Sequence, residues 1–156
     1  MIATPNVPTG TVTLLFTDIE GSTKRGEALP QAMATALLTH DLILRATIEE
    51  HGGVVFKTVG DAFCAAFADP EHAVSTVLAA RRALAAEPWG EVGQVRVRMA
   101  LHTGTPEQRD RDYFGPPVYR VARLLATGYG EQVLVSAATA ATFRDAEFCQ
   151  APSFKR

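Results

Sequence analysis

Two apolar runs, VVFKTV at 54–59 and AFCAAF at 62–67, are separated only by Gly60 and Asp61. Two residues leave no room for a crossover, so the runs are expected to pair as an antiparallel hairpin, with glycine supplying the positive φ of a tight turn. What flanks this hairpin constrains the rest. Upstream, TVTLLF at 11–16 is β-branched and apolar and ends at Thr17 and Asp18, the pattern of a buried strand. The loop IEGSTKRGE follows, with Ser22 and Thr23 available as helix caps. A helical pattern then runs from about Leu29 to Glu50, with Leu37, His40, Leu44 and Ile48 recurring at helical spacing until Gly52-Gly53 stops it.

Downstream of the hairpin, Asp69-Pro70-Glu71 opens a second helix reaching roughly Ala86: Asp as N-cap, Pro at the first helical position, an acid in the first turn. QVRVRMALHTG at 94–104 alternates as a half-buried strand should. The order β-α-β-β-α-β predicts an α+β fold, a ferredoxin-like (palm-type) sandwich with helices packed on one face of a sheet. A polar segment, TPEQRDRD, leads to a shorter helix from about Gly115 to Thr127, then the strand EQVLVS and a terminal helix in AATAATFRDA, a C-terminal αβα extension. Residues 1–10, rich in Pro, Thr and Gly, read as a lead-in arm. Residues 11–156 read as one domain, long enough to bury a single core.

Composition removes several function classes. A formal net charge of -2 offers no basic excess for a nucleic-acid backbone. No apolar run approaches the roughly 20 residues of a membrane helix. The opening MIATPNVPTG lacks a basic flank before an apolar stretch, so no secretory leader is expected. Cys64 and Cys149 form no metal or redox cluster, and Cys64 reads as a small buried thiol. The expectation is a reduced, cytoplasmic protein.

Asp18 and Asp61 carry the chemistry. Taken alone, an acid at the end of a strand is an ordinary loop cap, and Gly-Asp is an ordinary turn. The sandwich, however, puts the end of its first strand beside the hairpin that joins its second and third. Two carboxylates facing each other there call for a cation between them, and their hard oxygens suit Mg²⁺ or Mn²⁺. The segments FTDIEGST at 16–23 and KTVGDAF at 57–63 resemble the two metal-binding signatures of class III adenylate and guanylate cyclases. DYFGPPVYRVARL at 112–124 is similar to that family's third signature, within its dimerising arm and the helix beyond. The three signatures stand in the family's order, and the similarity covers about Thr11 to Ser136.

The resemblance implies a site residue by residue. Asp18 and Asp61, with the backbone carbonyl of Ile19, match the ligands of two metal ions, Mg²⁺ or Mn²⁺. One would activate the ribose 3′-hydroxyl, and the other would hold the β- and γ-phosphates. Gly21, Ser22 and Thr23 match the phosphate-contacting loop. Lys57 and Asp112 match the purine-selecting pair. Lysine there donates to an adenine ring nitrogen and aspartate accepts from the amino group, whereas guanylate cyclases tend to carry Glu at the first position. Arg123 matches the arginine that stabilises charge on the transferring phosphate. The family's ribose-orienting asparagine, four residues earlier, is Tyr119 here.

The family's sites lie between two domains, so a chain with both residue sets is expected to form a head-to-tail homodimer. The implied function is an adenylate cyclase that converts ATP to 3′,5′-cyclic AMP and pyrophosphate, with activity lowered by Tyr119. The alternative is a weak or inactive cyclase-like domain with a nucleotide-binding or regulatory role. The family also carries a late lysine on the triphosphate. The only lysines here are Lys24, Lys57 and Lys155, and Lys155, one residue from the end, is expected to be mobile. His102 reads as a packed or exposed histidine, Arg81 and Arg82 as a solvated helix surface, and Trp89 as packing or a loop anchor.

Overall fold

A computed structural model describes residues 6–142 and 154–155. Its elements are β1 (Val12–Ile19), α1 (Ser22–Ala28), α2 (Pro30–Glu50), β2 (Val54–Val59), β3 (Ala62–Phe67), α3 (Pro70–Ala86), β4 (Val97–Gly104), β5 (Glu107–Arg109), β6 (Asp112–Phe114), α4 (Pro116–Ala126), β7 (Val133–Val135), α5 (Ala137–Thr142) and β8 (Phe154–Lys155). The main sheet runs β2-β3-β1-β4-β7-β8, and β5-β6 is a separate two-stranded ribbon. The strand β1 lies between β3 and β4 and is antiparallel to both, as the expected sandwich requires. The added β7 and β8 run parallel to their neighbours. No helix among the described residues is long and apolar enough to cross a membrane.

Strand alternation divides the sheet into two faces. Leu15, Ile19, Phe63, Phe67, Met99 and Leu101 pack against α2 and α3 through Leu44, Ile48, Val74 and Val77. Leu14, Ala66 and Ala100 point the other way, under Tyr113 of β6 and Val121 and Leu125 of α4. Each large apolar side chain buried this way contributes about 1.5–3 kcal/mol. Gly53 is needed where α2 returns to the sheet. A Cβ there would come 2.5 Å from the Phe67 ring and 2.8 Å from Ile48 Cγ2.

Four local expectations are corrected. The segment after Ile19 is not an open loop but α1, and its N-cap is Gly21 at φ 69° with no side-chain cap, so Ser22 and Thr23 begin the helix instead of capping it. A left-handed glycine turns the chain out of β1 in one step. The polar segment before α4 is the β5–β6 hairpin, turning through Asp110 and Arg111 at φ 51° and 63°. Its strands have three residues each and β5 is exposed throughout, so no apolar alternation marks them. Arg81 is half-buried and its Nε is buried outright, so only Arg82 fits the solvated surface. Lys155 lies in β8, paired with Leu134. Trp89 anchors its loop as expected, donating from Nε1 to the Leu84 carbonyl at 2.9 Å. The terminal helix is seen as α5, and Cys149 lies outside the described residues.

Candidate active site

Because Leu15, Thr17 and Ile19 face α2 and α3, Phe16 and Asp18 fall on the opposite face, and both are half-buried. Directly across β4 from Asp18 stands Arg98. Its guanidinium takes both carboxylate oxygens: Nε donates to Oδ1 at 2.7 Å, and Nη2 donates to Oδ2. A third N–H, from Nη1, reaches the Gly128 carbonyl at 3.0 Å. The Asp18 hydrogen bonds raise the Arg98 pKa against partial burial, helped by the charges of Asp18, Glu20 and Asp61. Glu20 accepts from the Gly130 N–H, so the α4–β7 loop is tied once to the end of β1 and once to Arg98 of β4.

Asp61 is positioned by the hairpin. The Thr17 hydroxyl, fully buried, accepts from the Phe63 N–H at 3.3 Å and locks the start of β3 to β1. The β1–β3 pairing runs to Thr17 opposite Phe63, and continuing that register brings the Gly60-Asp61 turn beside the end of β1. Gly60 takes φ 58° at the first central position of that turn, as a type II′ connection requires. Ser22, Thr23, Gly60 and Asp61 line one open cleft of about 370 Å³, floored by Met33 and Leu37. Gly21 caps the helix at its edge. Ile19 has a buried side chain, so only its backbone is available to a ligand.

No three His, Cys, Asp or Glu side chains converge as a ready-made metal cage among the described residues. Two carboxylates and a carbonyl fit a different arrangement, in which phosphate oxygens and water complete the coordination, as Mg²⁺ prefers.

Lys57 reaches its position through a defect in the sheet. Val55 pairs with Ala65, but Lys57 pairs with Cys64, so Phe56 is one residue too many. Unbroken alternation would point Lys57 to the helix face with Val55. The bulge turns it to the opposite face, where Phe56 packs edge-on to Tyr113 at 4.8 Å. There Lys57 Nζ lies 2.8 Å from Asp112 Oδ2, and this hydrogen bond raises the lysine pKa. The Tyr113 hydroxyl donates to the Pro8 carbonyl at 2.6 Å, and burial pushes its pKa up to about 12. Burial likewise pushes the Cys64 thiol up to about 11, which leaves it protonated and unreactive.

Arg123 and Tyr119 stand one turn apart on α4, both exposed, Tyr119 at 61%. Neither side chain meets a hydrogen-bond or ion-pair partner among the described residues. The chain thus gathers Asp61, Ser22 and Thr23 in one cleft, holds Asp18 against Arg98 at the neighbouring end of β1, and pairs Lys57 with Asp112, but joins none of these groups to Arg123 or Tyr119. Arg98 and Glu20 escaped the sequence reading. The parity of VRVRM puts Arg98 on the face of Ala100, but nothing local in the sequence names its partner. His102 is packed, 5% exposed, with Nδ1 2.7 Å from Ser136 Oγ.

A family model described as the adenylate and guanylate cyclase catalytic domain matches residues 5–153. An uncharacterised protein of Mycobacterium tuberculosis is 42% identical over 134 residues, covering 85% of this chain and 45% of that protein. An adenylate cyclase of Lachancea kluyveri is 33% identical over 163 residues, covering 88% of this chain and 9% of that enzyme. The chain therefore spans less than half the length of these relatives. Among solved structures, an adenylate cyclase of Trypanosoma brucei in its monomeric state has a TM-score of 0.84 at 28% identity, covering 94% of this chain and 81% of that one. The adenylyl cyclase CyaB of P. aeruginosa has a TM-score of 0.72 at 25% identity, covering 85% and 80%.

Proposed function

This chain belongs to the adenylate and guanylate cyclase catalytic domain family, and we propose that it is an adenylate cyclase domain, closing ATP to 3′,5′-cyclic AMP with release of pyrophosphate. The observation that carries the choice of ATP is the Lys57–Asp112 pair, a donor and an acceptor 2.8 Å apart on the face opposite α2 and α3. Adenine presents the complementary edge, a ring nitrogen that accepts and an amino group that donates. Guanine would set like against like at this pair, and polar groups left unpaired in that way discriminate against it.

In the proposed site Asp18, Asp61 and the Ile19 carbonyl hold two divalent cations, Mg²⁺ or Mn²⁺, and Gly21, Ser22 and Thr23 lie along the triphosphate. Those cations, when bound, supply Lewis acidity at the ribose 3′-oxygen and neutralise the triphosphate. The 3′-oxygen forms a bond to the α-phosphorus, the bond from that phosphorus to the β-bridging oxygen breaks, and the hydroxyl proton passes to solvent. Arg123, a permanently charged fork, faces outward on α4 where it can serve the site of a second copy in a head-to-tail homodimer. Tyr119 accompanies it in the place of the family's ribose-orienting asparagine.

A second reading, a weak or inactive domain that binds nucleotide or regulates, is favoured by Tyr119. Cyclic nucleotide production by purified protein, with ATP or GTP and with Mg²⁺ or Mn²⁺, separates the two. Cyclic AMP from ATP that disappears in Asp61→Ala supports the cyclase. No product at concentrations where dimers are present leaves the regulatory reading.

A further inference from the structure

Resting on the reading that Asp18 holds a divalent cation, we propose that Arg98 is a built-in competitor for that cation, and that its displacement transmits metal arrival to the loop at 128–130 and so to α4. The competition is written into the sheet. Asp18 and Arg98 are direct partners across β1 and β4, so the fork meets the carboxylate without any excursion of the chain. Both carboxylate oxygens already accept from it. A divalent cation on either oxygen would stand beside the guanidinium, and like charges that close repel strongly in a half-buried site.

Arg98 is one positive charge in the field of Asp18, Glu20 and Asp61. The excess of negative charge keeps drawing cations even while the fork is in place. Without metal, Arg98 therefore keeps the acids together. With metal, it must yield at least part of its hold on Asp18.

That movement has somewhere to go. The same guanidinium donates to the Gly128 carbonyl, and Glu20 accepts from the Gly130 N–H. Gly128 is two residues beyond the end of α4, the helix that carries Tyr119 and Arg123. The loop is also closely packed, since a Cβ on Gly128 would stand 2.8 Å from Leu134 Cδ1. A shift of Arg98 thus loosens the fastening of α4. In a head-to-tail dimer, metal binding at one site would alter the arginine that one chain lends to the other site.

The test uses nucleotide-free protein with Mn²⁺ as the probe, its binding followed by electron paramagnetic resonance and its effect on the loop by hydrogen exchange of peptides spanning 127–131. Arg98→Gln is expected to bind Mn²⁺ about tenfold more tightly than the parent, roughly 1.4 kcal/mol. Asp18→Asn is expected to lose that binding, and Mn²⁺ should speed exchange of the loop in the parent. Arg98→Lys, which keeps the charge but loses the fork, provides a milder variant if the glutamine protein folds poorly. Its loop should exchange faster than the parent's even without Mn²⁺. Equal or weaker Mn²⁺ binding in folded Arg98→Gln, an Arg98→Lys loop that exchanges no faster than the parent's, or a loop in the parent indifferent to Mn²⁺, overturns the proposal. Unchanged Mn²⁺ binding in Asp18→Asn overturns the metal site and this inference with it. If the competition holds and ATP still yields no cyclic AMP, the latch stands and the cyclase reading fails.

Discussion

Asp61→Ala and Arg123→Ala remove side chains from different parts of one chain: the β2–β3 turn, and the exposed face of α4. In a shared site each substitution disables every site of its own homodimer. Losing one group that stabilises transition-state charge costs on the order of 100- to 1000-fold in rate, so each variant alone should retain about 1% of parent activity or less. Mixed in equal amounts and allowed to exchange, the chains pair at random and about half of the dimers become heterodimers. One site of each heterodimer then carries both defects and the other carries neither. About a quarter of the parent's sites are restored, a rise of at least ~25-fold over either variant. The assay is cyclic AMP formation from ATP, with differently tagged chains captured in sequence to quantify the heterodimer. Arg123 is exposed and Asp61 sits at a turn, so the variants should keep the parent's unfolding midpoint. A mixture that stays at the level of the single variants, with heterodimers demonstrably present, would refute the shared site.

Tyr119→Asn should raise kcat by about tenfold or more, because an amide replaces a bulky phenol at the ribose-orienting position. Steady-state kinetics with ATP measure it, and an unchanged or lower kcat would show that the tyrosine is a working substitute. Gly53→Ala should cost about 1–3 kcal/mol in urea unfolding, since Phe67 and Ile48 are both fully buried and cannot retreat. An unchanged midpoint would mean that α2 can lift from the sheet. His40 is 0% exposed on α2, with Nδ1 2.7 Å from Asp41 Oδ1. Burial holds its pKa below 6.5, against the opposing pull of Asp41 and Asp61. The unfolded chain therefore takes up a proton that the native one refuses. Its stabilising contribution is present above pH 6.5 and is lost as pH falls below that toward the depressed native value, at no more than about 1.4 kcal/mol per pH unit. His40→Leu should flatten urea stability between pH 7 and 5 relative to the parent, and an identical slope would place the effect elsewhere, with His102 as the first candidate.

The acids were legible because their signals are local. Asp18 ends an apolar run, and Asp61 follows the one glycine that a two-residue hairpin demands, so both could be placed on neighbouring strand ends without coordinates. Tyr119 stood out through the family resemblance, in the place of the asparagine four residues before Arg123. Arg98 was missed because alternation in VRVRM explains an arginine as well as it explains any polar residue. Its partner lies 80 residues away in sequence. The β5–β6 ribbon was missed because strands of three residues, one of them exposed throughout, are too short to show an apolar alternation.

From the sequence alone came the β-α-β-β-α-β order of the main elements and the sandwich they build, since periodicity, caps and turn residues act over a few positions. The tertiary structure alone decided which way Lys57 points, through one extra residue at Phe56, and so whether it could meet Asp112 at all. It also decided that Arg98 closes on Asp18 and ties the α4–β7 loop to the candidate metal site. These are properties of strand neighbours and register, set by the global pairing of the sheet, and no local pattern in the chain encodes them.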